Sequence, residues 1–276
     1  MFEKNADFLD DTQTRKIAQT RVLIVGAGAL GQLVAHTLIR MGFLHLWIAD
    51  GDCFEESNQN RQLYATPRTA GMKKVAVLRE KLLEINPGAS IRALDVFVDA
   101  DNGWRLALDA FVDAESGQRL GMDAFVGAEN GQCLAMDASV GAENGQRLAM
   151  DAFVGAESGQ RLAMDANILV DCVDDGKVKR FLGELAGSLG ICLVHGAVEG
   201  WFGQVSTVYP GDGTMALLYP ADKKQTVSAL MVTVEVIAAL QAAEVVKLAV
   251  GSDDILKHRI MYVDMRTCDF SVVKRK

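Results

Sequence analysis

A short apolar run, Arg21-Val-Leu-Ile-Val25, ends at Gly26-Ala-Gly28-Ala-Leu-Gly31, and no other stretch restricts the fold as much. An apolar run of this length bounded by glycines reads as a strand buried on both faces. Behind it Leu30, Leu33, Val34, Leu38 and Met41 recur at helical spacing across Ala29–Met41. Strand, glycine turn and helix form the first part of a βαβ unit. There the glycines permit a tight turn and let the backbone approach a phosphate. The helix N-terminus adds free N–H groups and the positive end of a dipole. By itself this pattern fits NAD as readily as ATP. Asp50, at the end of a second strand (Leu44–Ala49), stands where a carboxylate can accept hydrogen bonds from ribose hydroxyls.

The alternation continues along the chain. Gly71–Ile85 reads as a helix stopped by Asn86-Pro87-Gly88, and Ile91–Val98 as a third strand. Ile168–Cys172 reads as a fourth strand with the helix Gly176–Leu189 behind it, and Cys192–His195 as a fifth. Gly203–Tyr209 alternates as an antiparallel strand does, Met231–Val250 is a long helix, and Arg259–Val263 and Asp269–Val273 close the chain as strands. The expected fold class is α/β: a Rossmann-like, doubly wound, mostly parallel sheet with antiparallel C-terminal strands, plus an inserted tandem-repeat segment.

That segment is 95–164, five near-copies of a 14-residue unit beginning at Asp95, Asp109, Asp123, Asp137 and Asp151. The last three copies are nearly identical, and the first, Asp95–Leu108, diverges most. Joining Leu108 to Asp165 would restore a strand, helix, strand reading. The array is therefore expected to be a tandem duplication tolerated at a surface connection, where added length costs little closure entropy. A stacked solenoid or an acidic docking surface are the alternatives. The expected organisation is one domain, 1–276, carrying this insertion.

Charge narrows the partners. The net charge is −8, and residues 95–164, with four Arg against twelve Asp and Glu, hold a net of −8 themselves. Such a balance disfavours nonspecific nucleic-acid binding. The polar start of the chain shows no secretory signal, and Ser228–Gly251, broken by Glu235, Gln241, Glu244 and Lys247, reads as a buried helix and not a membrane span. Five scattered cysteines without a Cys-x-x-Cys pair argue for reduced thiols and a cytoplasmic setting.

The residues after Asp50 separate the nucleotides. Asp50-Gly-Asp52 leads to Ser57-Asn58-Gln-Asn-Arg61-Gln62, then to Gly71-Met-Lys-Lys74. A nicotinamide enzyme has no use for an arginine and a lysine at this first crossover. An enzyme splitting ATP between its α and β phosphates does, because fixed cations neutralise charge building on departing pyrophosphate. Asp171-Cys-Val-Asp174 ends the fourth strand on the same rim of the sheet, where Asp174 can hold Mg²⁺.

Glycine loop, Asp-x-Asp, Ser-Asn-x-x-Arg-Gln, Gly-x-x-Lys and Asp-Cys-x-Asp occur here in order, and together they resemble the ThiF/MoeB/HesA family, relatives of ubiquitin-activating enzymes. The likeness spans 15–98 and 165–273. It implies ATP-dependent adenylation of the C-terminal carboxylate of a ubiquitin-like sulfur-carrier protein ending in Gly-Gly, by a homodimer. In that scheme Gly26, Gly28 and Gly31 line the phosphates, and Asp50, with Asp52 beside it, holds the ribose. Asn58, Arg61 and Lys74 grip the triphosphate and Asp174 binds Mg²⁺, with Arg61, Lys74 and Asp174 as the catalytic set. The chain departs from the family at three points: no arginine precedes Arg15, no cysteine pairs occur near Thr214–Pro220 for zinc, and Thr226-Val-Ser-Ala-Leu230 lacks the sulfur-handling cysteine. An adenylyltransferase without zinc or an enzyme thioester is expected. A non-catalytic relative, a tRNA-modifying dehydratase and an NAD-dependent oxidoreductase are the competing readings. Cys172 is expected as a buried small hydrophobe, Cys53 near the nucleotide, His195 in a structural role at a strand end or else near the substrate tail, and Trp201-Phe202 in the core or against a partner.

Overall fold

The computed structural model describes residues 3–5, 7–99, 167–220 and 228–274. The repeat array falls outside these residues from position 100 to 164, and only its first five, Asp95–Asp99, are described.

The elements in order are α1 (Asp11–Gln19), β1 (Arg21–Val25), α2 (Ala29–Met41), β2 (His45–Ala49), α3 (Lys74–Ile85), β3 (Ser90–Leu94), β4 (Asn167–Asp171), α4 (Gly176–Leu189), β5 (Cys192–Glu199), β6 (Phe202–Val208), α5 (Thr214–Leu218), α6 (Met231–Val250), β7 (Arg259–Asp264) and β8 (Asp269–Lys274). The strands form one eight-stranded sheet in the order β3-β2-β1-β4-β5-β6-β7-β8. β3 to β5 run parallel in register, with Val22 beside both Leu46 and Ile168, and β6 to β8 are antiparallel. The expected mostly parallel α/β sheet with antiparallel C-terminal strands is therefore the observed one, while the inserted repeat segment lies outside the described residues. The chain leaves β1 toward β2 on one side and β4 toward β5 on the other. The connections leaving their C-terminal ends diverge, which opens a crevice at the topological switch point.

The core explains the order. Val22, Ile24, Leu46, Ile48, Ile168 and Val170 are buried strand residues, as expected where helices cover a parallel sheet. α6 buries Val234, Ile237, Ala238, Gln241 and Val245 against α2 and the sheet. Its one deep acid, Glu244, accepts from Thr207 Oγ1 at 2.6 Å and Leu256 N at 2.8 Å and pairs with Lys247. The apolar stretch read as a buried helix is one. Among the described residues no helix is long and apolar enough to cross a membrane.

Several boundaries differ from the sequence reading. α3 begins at Lys74 and not Gly71. Gly71, at φ 80°, and Met72 instead close the preceding loop, with Gly71 N donating to Phe54 O at 2.8 Å and Phe54 N to Met72 O at 2.9 Å. β3 ends at Leu94 and not Val98, because its partner β2 ends at Ala49 and leaves nothing to pair with. β5 extends past His195 to Glu199, since β6 folds back beside it through a turn at Gly200. α1 was not legible, because it buries only Ile17, but a reciprocal Asp10–Gln13 capping box starts it. α5 is too short to show a period.

Candidate functional site

A cleft of about 800 Å³ opens at the C-terminal ends of β1, β2 and β4 and runs across to β5 and β6. Its floor is the glycine loop. Gly26 holds φ 97°, and a Cβ there would stand 2.6 Å from the Cys172 carbonyl oxygen. A Cβ on Gly31 would lie 1.8 Å from the Gly26 carbonyl oxygen, so only glycine lets α2 start this close to the turn. Gly28 differs: nothing lies within 4 Å of where its Cβ would be, and it lines the cleft. Asp50 braces the loop, its Oδ2 accepting from Ala27 N at 2.6 Å and its Oδ1 from Asp52 N at 2.7 Å.

The second wall is the excursion between β2 and α3. Lys74 opens α3, and its ammonium, on a side chain only 8% exposed, lies 2.8 Å from Asp52 Oδ2, whose side chain is 53% exposed. A buried ammonium requires such a partner. Asn58 caps its own turn, with its Oδ1 accepting from Glu55 N at 3.1 Å. Arg61 lines the cleft, with one guanidinium nitrogen donating to Ser57 O at 3.0 Å and Asn60 Oδ1 at 2.8 Å. Sequence reading missed Gln32. It is buried on α2, and its amide donates to Ala27 O at 2.7 Å and Gln62 Oε1 at 3.2 Å while Tyr64 N donates to its Oε1 at 2.9 Å. It ties the glycine loop to the loop bearing Arg61. A glutamine amid the apolar positions of an amphipathic helix was the available signal. Cys53 lines the cleft and is half-buried.

The third wall follows β4. Asp174 lines the cleft, and the next residue, Asp175, caps α4 by accepting from Lys177 N at 2.7 Å and Val178 N at 3.0 Å. Among the described residues no group of three His, Cys, Asp or Glu converges as a metal cage. Beneath Asp174 lies a buried network. Lys179 Nζ is 3.1 Å from both oxygens of Asp171 and donates to Gly196 O at 2.9 Å. His195 Nδ1 is 2.7 Å from Asp171 Oδ2. Burial works to raise the Asp171 carboxyl, but the charge of Lys179 and the hydrogen bonds from His195 and Lys179 outweigh it and hold the group below its ordinary value. Burial foremost, with the Lys179 charge, lowers His195 against the pull of Asp171, so the imidazole is neutral. His195 is thus buried inside β5 and not at a strand end. Lys179 was not singled out. Its signal was a lysine on the stripe of Leu182 and Ala186.

The remaining expectations sort out simply. Cys172 is buried, with burial pushing its thiol far up, so it is an inert packing residue. Trp201 and Phe202, at the β5–β6 turn, are 40% and 53% exposed and do not belong to the core. The structure brings Gly26, Gly28, Asp50, Asp52, Asn58, Arg61, Lys74 and Asp174 to one cleft, with Gly31 packed directly beneath it.

Comparison with known proteins bears on the family and the fold. The SAMP-activating enzyme E1 of Haloferax volcanii is 21% identical over 94% of this chain and 77% of its own length. The tRNA threonylcarbamoyladenosine dehydratase of Escherichia coli is 33% identical, over 31% of this chain and only 32% of that enzyme. Among solved structures, E. coli MccB with ATP superposes with a TM-score of 0.63 at 16% identity, covering 96% of this chain and 67% of MccB, a likeness of fold. The model of the ThiF family matches residues 2–115 and 132–276, and with the sheet order and the cleft this makes the chain a member of the ThiF family.

Proposed function

We propose that the chain adenylates the C-terminal carboxylate of a ubiquitin-like sulfur-carrier protein at the expense of ATP. The observation that carries this reading is the buried ammonium of Lys74 in the same cleft as Arg61 and the glycine loop. An enzyme that transfers hydride has no need of such cations, whereas departing pyrophosphate does. The triphosphate would lie along Gly26 and Gly28, with Gly31 allowing the helix to begin there and present its N-terminus. Asp50, already spanning the loop, would hold the ribose, with Asp52 beside it. Lys74 would exchange its contact with Asp52 for a phosphate oxygen, and Arg61 would turn from Ser57 and Asn60 to do the same, with Asn58 alongside.

Asp174 would hold Mg²⁺. One carboxylate opposite a phosphate site fits an ion that keeps several waters and binds largely through phosphates, and when bound it would shield phosphate charge. The carrier carboxylate would attack the α-phosphorus in line with departing pyrophosphate, giving an acyl-adenylate, with positioning and fixed charge carrying the rate. The activating role in the name of the H. volcanii relative and the ATP in the MccB structure support this reading. The same reading makes the chain a single adenylation domain with an inserted 95–164 array, acting as a cytoplasmic homodimer. It works without the family's zinc pairs and without its sulfur-handling cysteine, since 214–220 and 226–230 contain no cysteine.

The match to the E. coli dehydratase favours a second reading, activation of a modified tRNA base, although a net charge of −8 supplies no general attraction to RNA. ATP–pyrophosphate exchange with Mg²⁺, run with Gly-Gly-ended carriers and with tRNA in turn, separates the two. Exchange dependent on a carrier and lost in Lys74→Ala supports adenylation of a carrier. Exchange dependent on tRNA alone overturns it.

A further inference from the structure

The proposed nucleotide path continues one strand further along the rim of the sheet. The glycine loop stands at the end of β1 and Asp50 at the end of β2, and the strands run in the order β3-β2-β1. A nucleotide with its phosphates on the first and its ribose at the second carries its base toward the end of β3, about 5 Å beyond. Phe97 stands there between Val96 and Val98, and all three line the cleft.

The chain holds Phe97 in this place. Val96 N donates to Leu94 O at 3.0 Å, so the backbone turns sharply at Asp95 as soon as β3 ends. Lys73 Nζ pairs with Asp95 Oδ1 at 2.8 Å and donates to Gly51 O at 2.8 Å, which clamps that turn to the segment between Asp50 and Asp52. The phenyl ring then sits on Gly51. A Cβ at position 51 would lie 2.6 Å from Cδ2, 2.7 Å from Cε2 and 2.8 Å from Cγ of Phe97. Gly51 is not one of the glycines with positive φ, so this contact, and not the backbone conformation, is what requires its missing Cβ. Phe97 nevertheless remains 65% exposed. An aromatic ring seated on backbone, bounding a cleft and still largely open to water, has the form of a stacking platform.

We infer that Phe97 is a base-binding residue: the purine of ATP stacks on its ring, and position 51 is glycine so that the ring can seat there. Gly51 and Lys73 are positioning residues in this scheme. The inference rests on the adenylation reading and deepens it by assigning the base. It also gives the divergent first repeat unit, to which Phe97 belongs, a task within the cleft.

The test measures binding of Mg²⁺-ATP and of Mg²⁺-tripolyphosphate to the full chain by calorimetry, the second ligand offering phosphates without a base. Phe97→Ala is expected to weaken ATP about five- to fiftyfold, the loss of one base–aromatic stack, and to leave tripolyphosphate unchanged. Its melting temperature should stay near wild type, because the ring is exposed. Phe97→Trp should hold ATP as tightly as wild type, and its added indole emission should be quenched by ATP but not by tripolyphosphate. Gly51→Ala, whose methyl displaces the ring, should weaken ATP by a similar factor, and should add nothing further in the Phe97→Ala background. A Phe97→Ala protein that binds ATP as wild type does, or loses ATP and tripolyphosphate alike, overturns the inference and leaves adenylation standing. Additive losses in the double variant do the same. A wild type that binds neither ligand sinks the adenylation reading, and this inference with it.

Discussion

Lys74 and Asp52 meet at 2.8 Å at the edge of the cleft, with the ammonium buried and the carboxylate half in water. The pair is asymmetric: Asp52 can leave for solvent cheaply, whereas Lys74 stays and requires a new anion. A phosphate is such an anion. Lys74→Ala is expected to reduce ATP–pyrophosphate exchange by a factor on the order of 10²–10³, as for other fixed charges at a developing anion. Its melting temperature should stay close to wild type. Exchange at the wild-type rate in Lys74→Ala or Arg61→Ala would remove those residues from the proposed roles.

The three glycines should separate into two kinds. Gly26→Ala and Gly31→Ala place a Cβ 2.6 Å and 1.8 Å from backbone oxygens, which cannot move aside as a side chain does. Each should destabilise the fold by about 2 kcal/mol or more, as strained and overpacked sites do. Gly28→Ala meets nothing and should melt near wild type, yet bind ATP more weakly because the methyl enters the space left for a phosphate. Thermal melts with and without ATP distinguish the classes. A stable, tight-binding Gly31→Ala would contradict the packing described.

The Asp171–His195–Lys179 network sets an acid limit. His195 ionises below its ordinary 6.5 when folded, so between the two values the unfolded chain binds more protons. Stability from His195 is present above about pH 6.5 and is lost as pH falls toward the folded value. Asp171, also lowered, adds a loss in the same direction at more acid pH. Denaturant midpoints should therefore decline from about pH 6.5 downward, and His195→Asn should flatten the upper part of that slope.

Lys179→Met removes one partner of a buried pair and leaves the Asp171 carboxylate without its cation. A cost of about 3–5 kcal/mol is expected. The double variant Lys179→Met with Asp171→Asn should recover part of it, measured as a double-mutant cycle. Strict additivity would deny the coupling.

Removal of residues 109–164 should leave a folded, ATP-binding protein, because Leu94 and Asn167 already hold their places in the sheet beside Ala49 and Arg21. Aggregation of that variant would show that the array belongs to the core.

The parts of this molecule legible in sequence are those where one period rules. Ala29–Met41, Gly176–Leu189 and Met231–Val250 show their apolar faces over three or more turns, and the helices begin and end where the pattern does. The motif residues read in order along the chain meet in one cleft because a parallel sheet brings its strand ends to a common rim. What stayed hidden depends on contacts between distant positions. Gln32 reaches Gln62, Lys179 reaches Asp171, and His195 reaches Gln204 and Tyr219. Each is a polar residue whose meaning lies in a partner on another element. Strand ends failed for the same reason, since β3 stops and β5 continues according to what lies beside them.

The early end of β3 has a genetic consequence. Lys73 holds Asp95 at 2.8 Å and donates to Gly51 O at 2.8 Å, so the first repeat is anchored at the cleft while its successors begin only after that anchor. The sheet holds the chain at Leu94 before the array and again at Asn167 after it. Near-identical neighbours of 14 residues are substrates for unequal recombination. Alleles of this gene should therefore differ by whole multiples of that unit, with the sheet and the cleft unchanged among them. Resequencing the locus across isolates would reveal such a ladder of lengths.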